Sequence, residues 1–242
     1  MSKYPKTETP AQPDAAALAS RFGLENCGVK YLRCAYWNLA DEALRAEMEF
    51  RGEDPVAPPG GAGAVDDTYV VHDDLTAETV WWGEYNRPFS AEKFTNLLTR
   101  VQAYLQGRDV FVRDCYVGND VEHRLPLRIV AENAGTNLLA RELFASPADP
   151  EEFQTFVPSF TLIAAPDFHA DPIHDATRSE TAIVLNFSRR LAVVVGTDRG
   201  EEIGNVAETA LNFLRPGRAG AALSGRNAVL RPDGPRPNGA CF

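Results

Sequence analysis

"RDVFVRDCYVGNDVEHRLPLRIVAENAGTNLLARELF" occupies residues 108–144 and changes its pattern partway through. Its first two runs, 108–118 and 125–132, are rich in β-branched and aromatic residues and are separated by a polar turn, which predicts two paired strands. The third, "AGTNLLARELF" (134–144), reads as a helix. Strand, strand and helix in one 37-residue stretch exclude an all-helical bundle and direct the reading toward a layered fold.

The same texture continues outward in both directions. "FTNLLTRVQAYL" (94–105) puts Phe94, Leu97, Leu98, Val101 and Leu105 on one face of a buried helix, with Ser90 as its cap and Glu92 and Lys93 in its first turn. "FTLIAAP", "TAIVLNFS" and "LAVVVGT" are three further strands, the last two joined by Arg189 and Arg190 in a hairpin. Upstream, "KYLRCAYWNL" (30–39) is a strand entering a turn, and Asn38 or Asp41 is a candidate cap for the helix "ADEALRAEMEFRG". Residues 53–67 are too rich in Pro and Gly for either element, and "TYVVHD" is a short strand. Strands interleaved with three or four helices predict an α/β (mixed α+β) fold with a mixed sheet flanked by helices. Residues 1–19 read as a mobile N-terminal segment, 20–216 as one domain, and 217–242 as a disordered Gly/Pro/Arg-rich tail.

With 242 residues, 44% of them hydrophobic, the chain can bury a substantial core. No apolar run approaches the roughly 20 residues of a membrane span, and the start lacks a signal-peptide centre, so a cytoplasmic protein without a membrane partner is expected. Cys27, Cys34, Cys115 and Cys241 form no C-x-x-C pair, which fits a reducing compartment. The net charge of −10 argues against nucleic-acid binding. Five arginines and one acid give residues 215–242 a charge of +4, leaving −14 on the rest, so an anionic ligand needs a locally focused cationic pocket. The only lysines are Lys3, Lys6, Lys30 and Lys93, and a Walker-type loop is absent.

Four stretches invite a chemical reading. "VVVGTDRGEEIGNVAETALNFL" (193–214) is a strand, a turn and a helix N-terminus, a common anion-binding arrangement. Asp198, Glu201 and Glu202 repel an anion at close range, so a structural connection is favoured over a surviving oxyanion site held by Arg199. "DFHADPIHD" (167–175) offers His169, Asp171, His174 and Asp175 as candidate metal ligands, without a helical register to organise them. Trp81, Trp82 and Tyr85 are candidates for stacking on a ligand, although anchoring a loop to the core is the commoner role. Arg178, Ser179 and Glu180 precede a strand and suggest an ion pair with a neighbouring helix.

The ordered phrases "GRDVFVRD", "HRLPLRIVAE" and "ETAIVLNF", set between "WWGEYNRPFSAEKF" and "LAVVVGT", resemble the N-terminal domain of ATP-dependent phosphoenolpyruvate carboxykinase from about residue 20 to Pro216. The resemblance implies a mixed α/β substrate domain, followed in full-length members by a mononucleotide-binding domain. It also implies an activity that converts oxaloacetate and ATP to phosphoenolpyruvate, CO2 and ADP in gluconeogenesis, using ATP with Mg2+ or Mn2+. Such chemistry needs cations around the transferring phosphate and the enolate.

Compared motif by motif, those cations are missing. Where the resemblance implies a carboxylate-holding arginine, this chain has Gly63, and glycine cannot form a bidentate clamp. In the strand-turn-helix motif, Arg199 or its neighbour Asp198 replaces a tyrosine, and Gly204 and Asn205 replace two lysines, the second of which helps hold metal and phosphate. After "LNFLRP" the expected histidine motif and phosphate loop do not follow, and the tail texture suggests a frameshift near codon 215. Gly135 stands where the resemblance implies a tryptophan inside a helix, an exchange expected to cost roughly 3–5 kcal/mol, plus about 1 kcal/mol for the glycine. The expectation is a truncated, catalytically inactive pseudoenzyme without retained catalytic or metal-binding residues or cofactor. Its expected partners are a full-length carboxykinase or a second copy of itself, and a binding or regulatory role, such as sensing a dicarboxylate, is the alternative.

Overall fold

The computed structural model describes residues 18–56, 67–83 and 86–215. Eight strands form one mixed sheet: β1 (Cys34–Trp37), β2 (Thr68–Val71), β3 (Arg87–Phe89), β4 (Asp109–Val117), β5 (Leu125–Ala131), β6 (Phe160–Ala165), β7 (Ala182–Asn186) and β8 (Leu191–Val195), in the order β1-β4-β5-β6-β8-β7-β2-β3. The helices are α1 (Asp41–Arg51), α2 (Ala91–Leu105), α3 (Ala134–Leu143), α4 (Pro150–Thr155), α5 (Pro172–Asp175) and α6 (Gly200–Leu214). The mixed α/β reading is therefore correct, with one short strand, β3, and two short helices, α4 and α5, beyond those expected.

The strand-rich runs at 108–118 and 125–132 form the antiparallel β4–β5 pair, with Asp114 opposite Arg128. Their alternating side chains separate two cores, as the two-residue period of a strand requires. Cys115, Val117, Leu127 and Ile129 face a core shared with α6 residues Ile203, Val206, Ala210 and Phe213. Val110, Val112 and Val130 face the opposite core, built on Phe94, Leu97, Leu98, Val101 and Leu105 of α2, the face the sequence predicts. A smaller cluster joins Leu44 of α1, Phe111 of β4 and Leu138 of α3.

Caps follow local chemistry. Ser90 accepts from the Lys93 amide at 3.4 Å at the start of α2, as expected. Asn133 caps α3 and Asp149 caps α4. For α1, neither Asn38 nor Asp41 is the cap; Ala40 holds that position without a side-chain bond. Asn38 instead adopts a left-handed backbone, accepts from the Asp114 amide at 2.8 Å and donates to the Leu18 carbonyl. Asp41 pairs with Arg141 of α3.

Gly135 also differs from its sequence reading. It lies in the first turn of α3, not in a helix interior, and a Cβ placed on it would sit 2.9 Å from Val56 and 3.4 Å from the Met48 methyl. Those two side chains fill the space beside it, and its first-turn position is not the helix interior to which the glycine cost of about 1 kcal/mol applies. The predicted N-terminal segment up to residue 17, the tail from 216 to 242, Gly63 and Tyr85 lie outside the described residues.

Candidate functional site

β5, β6 and β8 run parallel to one another and antiparallel to β4 and β7, so their carboxyl ends share one edge with the start of β4. Crevices beyond the carboxyl ends of parallel strands are the usual ligand sites of open α/β sheets. A cleft of about 650 Å3 opens at this edge. Glu132 and Asn133 reach it from the end of β5, Pro166 and Asp167 from β6, Asp198 from the turn after β8, and Arg108 and Asp109 from the start of β4. Arg33, Arg51 and the Gly52–Asp54 segment with Val56 complete the wall.

The charge on that wall is three arginines against six carboxylates. Arg33 grips Asp109 bidentately, Nε at 2.7 Å and Nη2 at 2.6 Å. Arg51 donates to the same carboxylate at 2.8 Å and to Glu47 at 3.0 Å, with its guanidinium over Phe111, 5.0 Å from the ring centre. The hydrogen bond from Arg33, helped by Arg51, holds the Asp109 carboxyl below the usual range despite its burial. Arg108 lies over the Tyr104 ring and 3.6 Å from Glu132, which also accepts from the Tyr104 hydroxyl. Burial pushes Glu132 above the usual carboxylate range. Every arginine lining the cleft thus already has a carboxylate of the same chain, while Asp54, Asp167 and Asp198 stay exposed around its rim.

The strand-turn-helix stretch has the frame its sequence suggests. Gly196 adopts φ +68°, and a Cβ there would lie 2.4 Å from the Glu180 carbonyl, so the turn admits glycine alone. Its charges do not converge on an anion site. Arg199 precedes α6 with its guanidinium 3.7 Å from Glu201, and its side chain does not cap the helix. Asn205 donates to the buried Glu202 at 3.4 Å, and Gly204 faces Leu143. Of this stretch, Asp198 reaches the cleft, whereas Arg199, Gly204 and Asn205 are not among its lining residues.

The four residues of the "DFHADPIHD" stretch have separate roles. Asp171 caps α5, accepting from the Ile173 and His174 amides, and its other oxygen meets His174 Nδ1 at 2.7 Å. The backbone bond from His174 is the main reason its carboxyl lies below the usual range. His169 faces Glu180 at 3.5 Å. Asp175 is buried and receives both bonds from one Arg100 nitrogen, at 2.7 and 2.8 Å. Among the described residues, no group of three His, Cys, Asp or Glu side chains is placed to hold a metal ion. Trp82 donates its indole N–H to the Ala77 carbonyl and lies 5.0 Å from the His72 ring, a loop anchor; Trp81 is exposed.

The sequence alone does not single out the cleft residues Arg33, Arg51, Glu53, Arg108, Asp109, Glu132 and Asp167. Their signal lies in position: charged residues closely follow β5 and β6 and directly precede β1 and β4, where a mixed sheet exposes side chains at its edge. No helix among the described residues is long and apolar enough to cross a membrane.

Comparison with known proteins agrees with the fold. The profile of the phosphoenolpyruvate carboxykinase family matches residues 61–229. Similar curated proteins are the ATP-type phosphoenolpyruvate carboxykinases of Geotalea uraniireducens, 37% identical over 203 residues, and Thermus thermophilus, 36% identical over 207. These alignments cover 80% and 81% of this chain but 38% and 39% of the relatives, so the chain spans under two-fifths of their length. The carboxykinase of Deinococcus radiodurans is 40% identical over 152 residues, 63% of this chain and 32% of its own.

Proposed function

The chain belongs to the phosphoenolpyruvate carboxykinase family, and we propose that it is a non-catalytic form of that enzyme's N-terminal domain. The observation carrying this reading is the state of the cleft arginines: Arg33 and Arg51 share Asp109, and Arg108 is placed against Glu132. A dicarboxylate such as oxaloacetate would have to break an internal ion pair to gain one, in a wall that is already net acidic. Positions 204 and 205, where the family resemblance implies lysines, supply Gly and Asn. Decarboxylation leaves an enolate, and phosphoryl transfer to it needs cationic stabilisation that these residues do not provide. ATP and Mg2+ or Mn2+ are the cofactors of the family's reaction; we assign none to these residues. A spectrophotometric assay with oxaloacetate, ATP and Mn2+ tests the reading, and turnover above a heat-killed control overturns it.

The persistence of a 650 Å3 cleft, within the size range of small-molecule sites, favours a second reading as a binding or regulatory module. Such a module would associate with a full-length carboxykinase or bind a small molecule. Capture of a purified carboxykinase, or a rise in melting temperature with millimolar dicarboxylate, supports this; failure of both counts against it.

A further inference from the structure

α1 ends at Arg51 and is capped by Gly52, whose backbone is left-handed at φ +66°, and Glu53–Val56 then crosses the start of α3 without regular structure. The contacts between the two are specific. The Glu53 carboxylate accepts from the Ala134 amide at 3.1 Å and from the Gly135 amide at 2.9 Å. Asn133 takes the next amide, that of Thr136, so the first three unpaired N–H groups of α3 are satisfied by two side chains, one of them from the distant end of α1. The second contact is Val56 over Gly135, where a Cβ would come within 2.9 Å of the valine methyl and 3.7 Å of the Asp54 carbonyl. Glu53, Asp54 and Val56 also line the cleft, so the position of this segment sets its width on the α3 side.

We propose that Glu53–Val56 is a detachable strap, latched by the Glu53 carboxylate to the N-terminus of α3 and seated on the open Cα of Gly135, and that its release widens the cleft. Three features make it separable from the core. Its residues are exposed or half-buried; its only backbone bond among the described residues is from the Glu53 amide to the Met48 carbonyl of α1; and none of its side chains belongs to a core cluster. Segments with such sparse burial open locally, well below the free energy of global unfolding. Release removes two carboxylates, Glu53 and Asp54, from the wall and uncovers two amide donors beside Asn133, changing both the shape and the charge of the cleft.

Hydrogen–deuterium exchange of the full chain tests this. In the unaltered protein the amides of residues 53, 54, 56, 134 and 135 should exchange at least about tenfold faster than those of β4 and β5. Glu53→Gln weakens the latch, and Gly135→Ala drives a methyl into the seat; each should raise exchange at residues 53, 54, 56, 134 and 135 by a further roughly tenfold and leave β4 and β5 unchanged. Equal protection of strap and strands in the unaltered chain overturns the proposal. So does a variant whose strap amides stay as protected as before, or one that loses protection equally across β4 and β5. If either variant fails to fold, the other and the unaltered chain still decide.

Discussion

Arg51 and Asp109 meet at 2.8 Å where the last residue of α1 lies against the first residue of β4, and Arg33 binds the same carboxylate from the chain entering β1. One acid therefore ties a helix and two strands together at the cleft edge. Arg33, the larger cause of the lowered Asp109 carboxyl, is 67% exposed and screened by water, whereas Arg51 is 21% exposed, so Arg51 contributes more to stability than its share of that lowering. Asp109→Asn should lower stability at pH 7 by about 1–3 kcal/mol. The sign of its pH dependence follows from the lowered carboxyl. The unfolded chain, with a carboxyl near ~3.9, binds more protons than the folded one in the window below that value. The stabilisation is complete above about pH 4 and is lost as pH falls through the folded value. Urea midpoints for the two proteins should differ at pH 7 and converge as the pH falls below the folded value.

Gly196 and Gly107 both have left-handed backbones, at φ +68° and +70°, but only Gly196 faces a carbonyl, 2.4 Å from where an added Cβ would sit; nothing lies within 4 Å of that position at Gly107. Gly107→Ala should cost the conformational penalty alone, about 1–2 kcal/mol. Gly196→Ala should cost at least about 2 kcal/mol more, because the β7 entry must shift. Thermal melts of the two variants side by side check the difference.

Arg113 is fully buried, donating to Asn137 Oδ1 at 2.9 and 3.1 Å and to the Leu39 carbonyl; among the described residues it has no carboxylate bond and its Nη1 has no partner. Burial, reinforced by Arg141, pushes its guanidinium down to about 10. Arg113→Met should destabilise by about 1–3 kcal/mol, less by losing the charge than by stranding Asn137 Oδ1 and the Leu39 carbonyl. Adding Asn137→Leu removes one stranded acceptor and should restore part of the loss, which a double-mutant cycle measures as a coupling energy.

Putting lysines back at positions 204 and 205 tests whether charge at that turn is enough. A Cβ at Gly204 would lie 3.9 Å from Leu143, an ordinary contact, and a lysine in place of Asn205 would lie beside Glu202. The Gly204→Lys/Asn205→Lys protein should fold with a melting temperature within a few degrees of the parent. It should still show no oxaloacetate-dependent rise in that temperature, because the new charge pairs with Glu202 while the cleft acids remain.

The strands other than β3, the buried face of α2 and the turn at Gly196 are legible in the sequence because each is set by local period or by the conformational demand of one residue; β3, three residues with a proline at its centre, carries no such period. Ser90 is legible as a cap for the same reason. Asn38 and Asp41 depart from their sequence reading because both side chains bond to distant partners, Asp114 and Arg141, that local spacing does not reveal. Gly135 departs from it because the residues filling its space, Met48 and Val56, come from the far end of α1 and the segment after it. The cleft is hidden for a related reason. Arg33, Arg51, Arg108, Asp109 and Glu132 are scattered along the chain, and only the β1-β4-β5-β6-β8 order assembles them. What the sequence does indicate is the balance of charge, an acidic body with few lysines, and the cleft repeats that balance locally.

On the proposed reading, this domain keeps the carboxykinase frame without a cation in its cleft free to hold a dicarboxylate. The most direct measurement is formation of phosphoenolpyruvate by the purified chain supplied with oxaloacetate, ATP and Mn2+, followed in a coupled spectrophotometric assay. The predicted result is a rate equal to that of the heat-killed protein. ATP-dependent phosphoenolpyruvate formation above that control, abolished by removing Mn2+, would contradict it.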